Sequence, residues 1–431
     1  LAEALFGFDN QKRFFIETEV GRLFDGNMNL KTHKIIVGIL GLVIFMVSAV
    51  PGLAGGPSKE IKITQDLYPA LKFLLNLVSK NDSRSVELNQ INAVMAFVDS
   101  PKDRSGLYYA EEGAFNADSA YTEFDVNKDI HQILKLTYHP DIPPMALMPS
   151  SLRLSYWKEV DGRKKDLPRL WEKFPNGNTP YVLKGVEHEE ITPDSFSGAY
   201  YKYDLKRTLI LFEYMGRKTL ISLSKQVDVS EVGKKGLILE PDENWNYLYS
   251  GKKGVALPGL GWVESYMYDS YSIMVITETA PGASSVKCGF FKWVRAGWKS
   301  LNMVKKTHIY SGQQRFAKTF KTIVESPFLP DSSELANACS KIEKKSFQEL
   351  RLKMVPYMDE IKKRLKTENG LSVGWASELV ENGQYASQLT KKEMESIMIL
   401  EHIKGVIGKE KWIDTKSLVS HRTVHNHLKR R

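Results

Sequence analysis

The sequence predicts an α+β fold in which an antiparallel, curved sheet grips one long helix (a helix-grip arrangement), flanked by an N-terminal helical hairpin and by C-terminal helices. Three observations predict it. Short alternating segments joined by very short connections fill residues 196–302. An amphipathic stretch of helical period follows at 307–325. Apolar residues at helical spacing bracket both, at 66–98 and at 334–407.

A chain of 431 residues is long enough for two or three domains. Its 42% hydrophobic and 26% charged content belongs to a globular protein and excludes a disordered one. The formal net charge of +9 is moderate. In the first 54 residues Lys12, Arg13, Arg22, Lys31 and Lys34 balance Glu3, Asp9, Glu17, Glu19 and Asp25, whereas residues 401–431 hold eight Lys or Arg against three Asp or Glu. Such a basic surface serves solubility, and outside the cytoplasm it also suits an anionic membrane surface.

Residues 28–54 carry the order of a secretory signal peptide. Lys31, His33 and Lys34 form a basic start, Ile35–Val50 is an apolar or small-residue run, and Pro51 ends it. Gly52 and Ala54 supply small residues for cleavage, so the mature chain is expected to begin at Gly55. The apolar run is shorter than the roughly 20 residues of a membrane span. Residues 1–27 are expected to be translated sequence upstream of a start at Met28. The chain is therefore expected to be exported, to the periplasm or the cell exterior. Such a compartment allows a disulfide between Cys288 and Cys339, with two separately buried thiols as the other outcome.

The exported part divides into an N-terminal helical segment (55–106), a central domain (107–330) and a C-terminal helical segment with a basic tail (331–431). Leu67, Leu71, Leu74, Leu75 and Val78, then Leu88, Ile91, Val94, Met95 and Val98, mark the hairpin helices after a polar lead-in at 55–62. Residues 119–125 alternate as a strand, Lys128–Tyr138 reads as a short helix, and the prolines of 139–151 exclude helix there. Leu152–Trp157 alternates again, and 161–180 reads as a polar loop. Strands follow at 199–203, 208–215, 219–224, 236–239, 245–249, 262–268, 271–278 and 286–294, with tight turns at 204–207 and Gly216-Arg217. In the helix 307–325, Ile309, Phe316, Phe320, Ile323 and Val324 form one stripe, with Arg315, Lys318 and Lys321 facing away. Residues 334–365 read as one long helix, 366–386 as loop, and Thr390 with Glu393 as the capping box of a helix over 390–407.

The segments DIHQILKLTYHPDIPPMALMPSSLRLSYW (129–157) and HIYSGQQRFAKTFKTIVESP (308–327) carry a resemblance. In the first a helix runs through a kink into a strand; the second stands where a long closing helix belongs. In this order of elements, over about residues 107–327, the chain resembles the START and polyketide-cyclase-like superfamily. The resemblance implies a hydrophobic cavity between sheet and helix and assigns no catalytic residue. The sheet region is long for that superfamily, and Trp171–Pro193 is an insertion in it.

A curved sheet and one helix leave a tapered space between them, and such apolar concavities suit small molecules. The expected lining is Tyr201, Tyr203, Phe212, Tyr214, Tyr266, Tyr268, Phe291, Trp293, Phe316 and Phe320. His188 in EHEE (187–190) reads as part of a solvated acidic turn rather than as a metal ligand. His421, His425 and His427 lie in an exposed basic tail. That tail (419–431) also resembles the recognition helix of a helix-turn-helix, a reading that export disfavours, so no nucleic-acid partner is expected. Residues 254–261 lack the dinucleotide-binding spacing, and no nucleophile elbow, zinc-protease helix or phosphate-cradling loop is present. No metal or cofactor is expected. The expected function is binding of a hydrophobic or lipid-like small molecule. A cyclase- or hydrolase-like enzyme on the same scaffold, and a structural or interaction protein with a filled core, are the alternatives.

Overall fold

The computed structural model describes residues 57, 59–79, 86–111, 115–164, 166–175, 177, 179–239, 241–257, 261–367 and 374–419. The signal segment 28–54 and the histidines of the basic tail lie outside these residues. The chain forms two units, residues 1–54 with 256–261, and residues 55–255 with 262–431. All elements named below belong to the second.

Charge and alternation build the main sheet. Its strands are β1 (Lys59–Lys62), β2 (Gly106–Tyr109), β3 (Asp118–Val126), β4 (Leu152–Val160), β5 (Tyr181–Ile191), β7 (Lys202–Tyr214), β8 (Arg217–Gln226), β11 (Tyr266–Glu278) and β12 (Val286–Gly297). They lie in the order β1-β2-β3-β12-β11-β8-β7-β5-β4. The β1–β2 pair is parallel and the other pairs are antiparallel, so the sheet is mixed. A second sheet, in the order β10-β9-β6, joins β6 (Ala199–Tyr200), β9 (Lys234–Leu239) and β10 (Asn246–Lys253). Met215 and Gly216, both at positive φ, make the two-residue turn between β7 and β8.

Three expectations about strands need correction. The lead-in at 55–62 contains the edge strand β1. EHEE is not an acidic turn but the interior of β5, and 204–207 is not a turn but the middle of β7. The reason is complementary charge across the ladder: His188 lies opposite Asp204, and Glu190 opposite Lys202. Opposite charges that face each other across strands stabilise the pairing that either segment alone would resist. The unplaced stretch Trp171–Pro193 supplies β5 itself.

Helices cover both faces of the sheet. On one side lie α1 (Tyr68–Ser79) and α2 (Asn92–Asp99), packed with Ile210, Ile221, Ile273, Val275, Phe291 and Trp293. On the other lie α3 (Ile130–Thr137) and the long α4 (Lys306–Val324), with Leu209, Leu220, Ile276, Val286 and Cys288. Strand alternation sorts the two sets: along β12, Cys288 and Phe290 face α4 while Phe291 and Trp293 face α2.

The α4 stripe is as expected, with Ile309, Phe316, Phe320, Ile323 and Val324 all buried. Arg315 turns from the main sheet and docks instead on Asp242, at 2.6 and 2.7 Å, and on the Tyr247 hydroxyl at 2.8 Å. The C-terminal helices are α5 (Ser332–Glu343), α6 (Phe347–Lys353), α7 (Val355–Thr367), α8 (Gly374–Glu381), α9 (Gln384–Gln388), α10 (Lys391–Val406) and α11 (Lys416–Val419). The single helix expected over 334–365 is therefore three. Ser346 caps α6 in a box with Glu349, and Pro356 sits in the first turn of α7, where its missing N–H costs nothing. The expected loop 366–386 includes α8, whose Ala376, Leu379 and Val380 are buried.

Thr390 and Glu393 form the expected capping box of α10. Glu393 also accepts the buried Arg153 of β4 at 2.7 Å, which ties α10 to the sheet. The C-terminal helices share one continuous core with the sheet face under α4. No described helix is long and apolar enough to cross a membrane. Cys288 and Cys339 are both free and buried, so the disulfide is not formed.

Candidate functional site

The ten expected lining residues do not converge on one space. Phe212, Tyr214, Phe291 and Trp293 face the N-terminal helices, where Phe291 packs 4.4 Å from Tyr121 and Trp293 4.9 Å from Phe115 between ring centroids. Tyr266 and Tyr268 are half-buried, with rings 6.4 Å apart. Tyr201 is buried and donates to Ser265 Oγ at 3.1 Å. Phe316 and Phe320 do lie under α4, in a cluster of aromatic rings. Phe316 stands 6.0 Å from Phe124, 5.6 Å from Phe290 and 5.7 Å from Phe320. Of the ten, only Tyr203 belongs to the site described next.

That site is the polar end of the sheet face that α4 covers. Two-residue periodicity places Glu187 and Glu189 of β5 and Tyr203 and Arg207 of β7 on this face. Ser222 and Ser224 of β8, Ser270 and Ser272 of β11 and Lys292 of β12 join them. Arg207 is the hub. Its Nε donates to Glu187, its Nη2 to Glu189 Oε1 at 3.0 Å and its Nη1 to Ser222 Oγ at 3.2 Å. Ser155 Oγ donates to the other Glu187 oxygen at 2.6 Å, and Ser224 and Ser272 bond each other at 2.6 Å.

Burial sets the electrostatics. It works against the Arg207 charge, but Glu187 and Glu189 outweigh it and hold the guanidinium protonated. It raises the Glu189 carboxyl, assisted by Glu187 and opposed by Arg207 and Lys292. It lowers the Lys292 ammonium to about 8, with Glu189 opposing and Arg207 adding to the shift. Tyr203 is pushed up by burial and by Glu189.

Lys292 combines two properties that rarely coincide. Its side chain keeps accessible surface, yet its charge is desolvated. Groups packed around the ammonium are the source of that desolvation. Its Nζ donates to Ser270 Oγ at 2.8 Å, and among the described residues no carboxylate lies within ion-pair reach of it. Over it α4 places Gln313, 2% exposed, whose Nε2 donates to Phe290 O at 2.8 Å and to Ala120 O at 3.2 Å. Ala120 is the register partner of Lys292 in β3. Gln313 Oε1 is buried with no hydrogen-bond partner.

Sequence reasoning missed this group. The available signal was the pair of segments Ser222-Leu-Ser224 and Ser270-Tyr-Ser272 in central strands. Where one buried residue separates two serines and both sheet faces are covered, the serines must be interior too. His188, the tested metal candidate, bonds Asp204 Oδ1 at 2.8 Å, and among the described residues no cluster of three ligating side chains could hold a metal.

A pocket of about 620 Å³ lies elsewhere, on the C-terminal helices, with Leu352, Met354, Val355, Met358, Val380 and Ala386 among its apolar walls. Comparison with protein families, curated proteins and solved structures finds no match to this chain.

Proposed function

We propose that the chain is an exported binding protein for an amphipathic small molecule, with a helix-grip-like architecture and the ligand held between the sheet and α4. The observation that carries the reading is the polar cluster of Arg207, Glu187, Glu189 and Lys292 on the sheet face shared with α4. A desolvated ammonium on β12 and a buried Gln313 oxygen without a hydrogen-bond partner lie at its edge, with Gln313 bonding the carbonyl of Ala120, the register partner of Lys292. Buried polar groups are nearly always paired, so this donor and acceptor suit a ligand head that accepts from one and donates to the other. The apolar layer next to it, Phe290 and Phe316, suits a hydrophobic body.

The mutual influence of Glu189 and Lys292 supports curvature. Their strands are four places apart in the sheet, which is about 19 Å at ordinary strand spacing. Curvature of the open sheet toward this face brings their side chains together.

The test is native mass spectrometry and solvent extraction of protein from the exported fraction, with displacement of a fluorescent fatty acid. A co-purifying amphiphile is expected, and Gln313→Leu should weaken its binding about tenfold, the effect of one lost hydrogen bond. No extractable compound and no displacement at micromolar concentration would overturn the reading.

A second reading, an interaction protein, is favoured by the pocket on α6 and α7. Leu352 is 74% and Val355 56% exposed there, beside Arg351 and Lys362, which have no ion-pair partner among the described residues. Leu352→Asp should leave stability within about 0.5 kcal/mol. A change in sedimentation or in partner capture on that substitution alone would favour this reading.

A further inference from the structure

We propose that the groove formed by α6, α7 and the turn between α8 and α9 docks an acidic amphipathic helix of a partner protein. The inference rests on the second reading above, that of an interaction protein, and names the partner's chemistry. It stands on a cavity and on the charges around it. Among the walls of the 620 Å³ cavity, Met354, Met358 and Val380 are buried while Leu352 and Val355 are exposed. Apolar surface therefore continues from the depth of the cavity to its mouth. Apolar residues exposed singly need no explanation, but a contiguous patch at a cavity marks an interaction site. The two methionines, unbranched and polarizable, can adapt to a side chain that enters.

The walls select a helix. Val355, Met358, Asp359 and Lys362 recur at the three- and four-residue spacing of one face of α7. They give the groove a length of about 10 Å, which two turns of a docked helix would cover. The turn into α9 adds Gly383, where a Cβ would meet open space, so the wall is low there. Every wall is helix or turn and offers no strand edge. A partner segment must then satisfy its own backbone hydrogen bonds, as a helix does and an extended peptide does not.

Charge selects the sign. Together α6 and α7 carry Arg351, Lys353, Lys362, Lys363, Arg364 and Lys366 against Glu349, Asp359 and Glu360. Two of those carboxylates are already engaged. Glu349 closes the box with Ser346 and pairs with Lys345, and Glu360 pairs with Lys363 and Arg364. At the groove itself Arg351 and Lys362 stand without an ion-pair partner among the described residues, and Asp359 is the one carboxylate that joins them in the lining. Carboxylates flanking an apolar stripe complement this rim. A second copy would bring the same cations against it in a two-fold contact. The chain's own end, residues 421–431, holds no Asp or Glu with which to answer it.

The test titrates the full chain into a fluorescein-labelled helical peptide with leucines at i, i+3, i+4 and i+7 and glutamates beside them, and into versions with glutamine or lysine in place of glutamate. Fluorescence anisotropy gives each Kd. The glutamate peptide should bind about fivefold tighter than the glutamine version, the effect of two exposed ion pairs, and tighter again than the lysine version. That preference should fade in about 0.5 M salt. Arg351→Glu combined with Lys362→Glu should invert the order, a gain that an unfolded variant cannot show, and Leu352→Asp should weaken all three peptides. Equal affinity for the glutamate and lysine peptides overturns the acidic helix and leaves the interaction reading standing. Self-association in sedimentation that Leu352→Asp abolishes, with no peptide bound, assigns the groove to a second copy and has the same consequence. Binding of a fluorescent fatty acid that Leu352→Asp abolishes, with no peptide bound, assigns the groove to a small amphiphile, and both fail. If nothing binds and Leu352→Asp changes nothing, both fail as well.

Discussion

Replacing Arg207 by Met would remove the cation at the centre of the buried patch while keeping most of its length. The structure sets the size of the effect. Glu187 and Glu189 are 3% and 8% exposed, and both lean on this guanidinium. Breaking a buried ion pair by removing one partner costs about 3–5 kcal/mol, a large part of the 5–15 kcal/mol typical of a domain. The cost should depend on pH. The Glu189 carboxyl is already raised by burial and by Glu187, and without Arg207 it rises further. A carboxyl whose folded value lies above its unfolded value destabilises the fold at pH above both, and the penalty fades as pH falls through the folded value towards the unfolded one. Urea unfolding at pH 7.5, 6.0 and 4.5 should therefore show the full deficit at pH 7.5 and a clearly smaller one at pH 4.5. The triple variant Glu187→Gln, Glu189→Gln, Arg207→Met should recover much of the loss, because no charge is left stranded. A deficit under about 1 kcal/mol at pH 7.5, or one independent of pH, would show that the patch is solvated.

Other perturbations separate the parts of the fold. Burial pushes the Glu190 carboxyl up, but His188, Arg153 and Lys202 outweigh it and hold it at about 2. Its contribution of about 3 kcal/mol is present above the ordinary carboxylate range and is lost as pH falls through about 2. The stability gap between Glu190→Gln and the unsubstituted protein should therefore close between pH 5 and pH 2, as read by urea unfolding. Phe212→Ala should cost about 3–5 kcal/mol and leave ligand affinity unchanged, since Phe212 faces the N-terminal helices. Tyr203→Ala should lower affinity, and equal effects of the two in a displacement assay would contradict the two-faced placement. Burial raises both thiols, Cys339 to about 12, so iodoacetamide should add nothing to the native chain by intact mass and two groups in urea. Exported material should begin at or near Gly55 by mass spectrometry, and residues 28–50 still attached would indicate an anchor.

The helices with a clean apolar stripe were legible in the sequence, and so were the strands that meet at the turn beside Gly216. α1, α2, α4 and α10 lie where periodicity and the Thr390–Glu393 box put them. Highly charged strands were not legible. Glu187-His188-Glu189-Glu190 and Lys202-Tyr203-Asp204-Leu205-Lys206-Arg207 each look solvated, and become interior strands because each neutralises the other. That information is held by a pair of segments, and a local window contains only one of them. The same limit split the helix expected over 334–365. Helical spacing continues through it, but the Ser346 cap and Pro356 end one helix and start the next.

The misplaced ligand wall has a deeper cause. An aromatic residue in a strand announces a buried face but not which one, and this sheet has two. In β12 the aromatic pair Phe291 and Trp293 faces α2, while Lys292 between them faces α4. In β8 the apolar Ile221 and Leu223 face α1 and α2, and the serines on either side of Leu223 face the polar patch. In a sheet covered on one side, such polar residues would meet water and carry no message. Here helices cover both sides, so each interior polar residue costs desolvation that packing alone would avoid. A sequence that keeps Glu187, Glu189, Arg207, Ser222, Ser224, Ser270, Ser272 and Lys292 on one interior face bears that cost at eight positions of five neighbouring strands. An apolar replacement of a buried ion-pair cluster is often neutral or stabilising, so folding does not require this arrangement. The concentration of interior polarity on this face, rather than the aromatic content of the strands, is what distinguishes this end of the sheet.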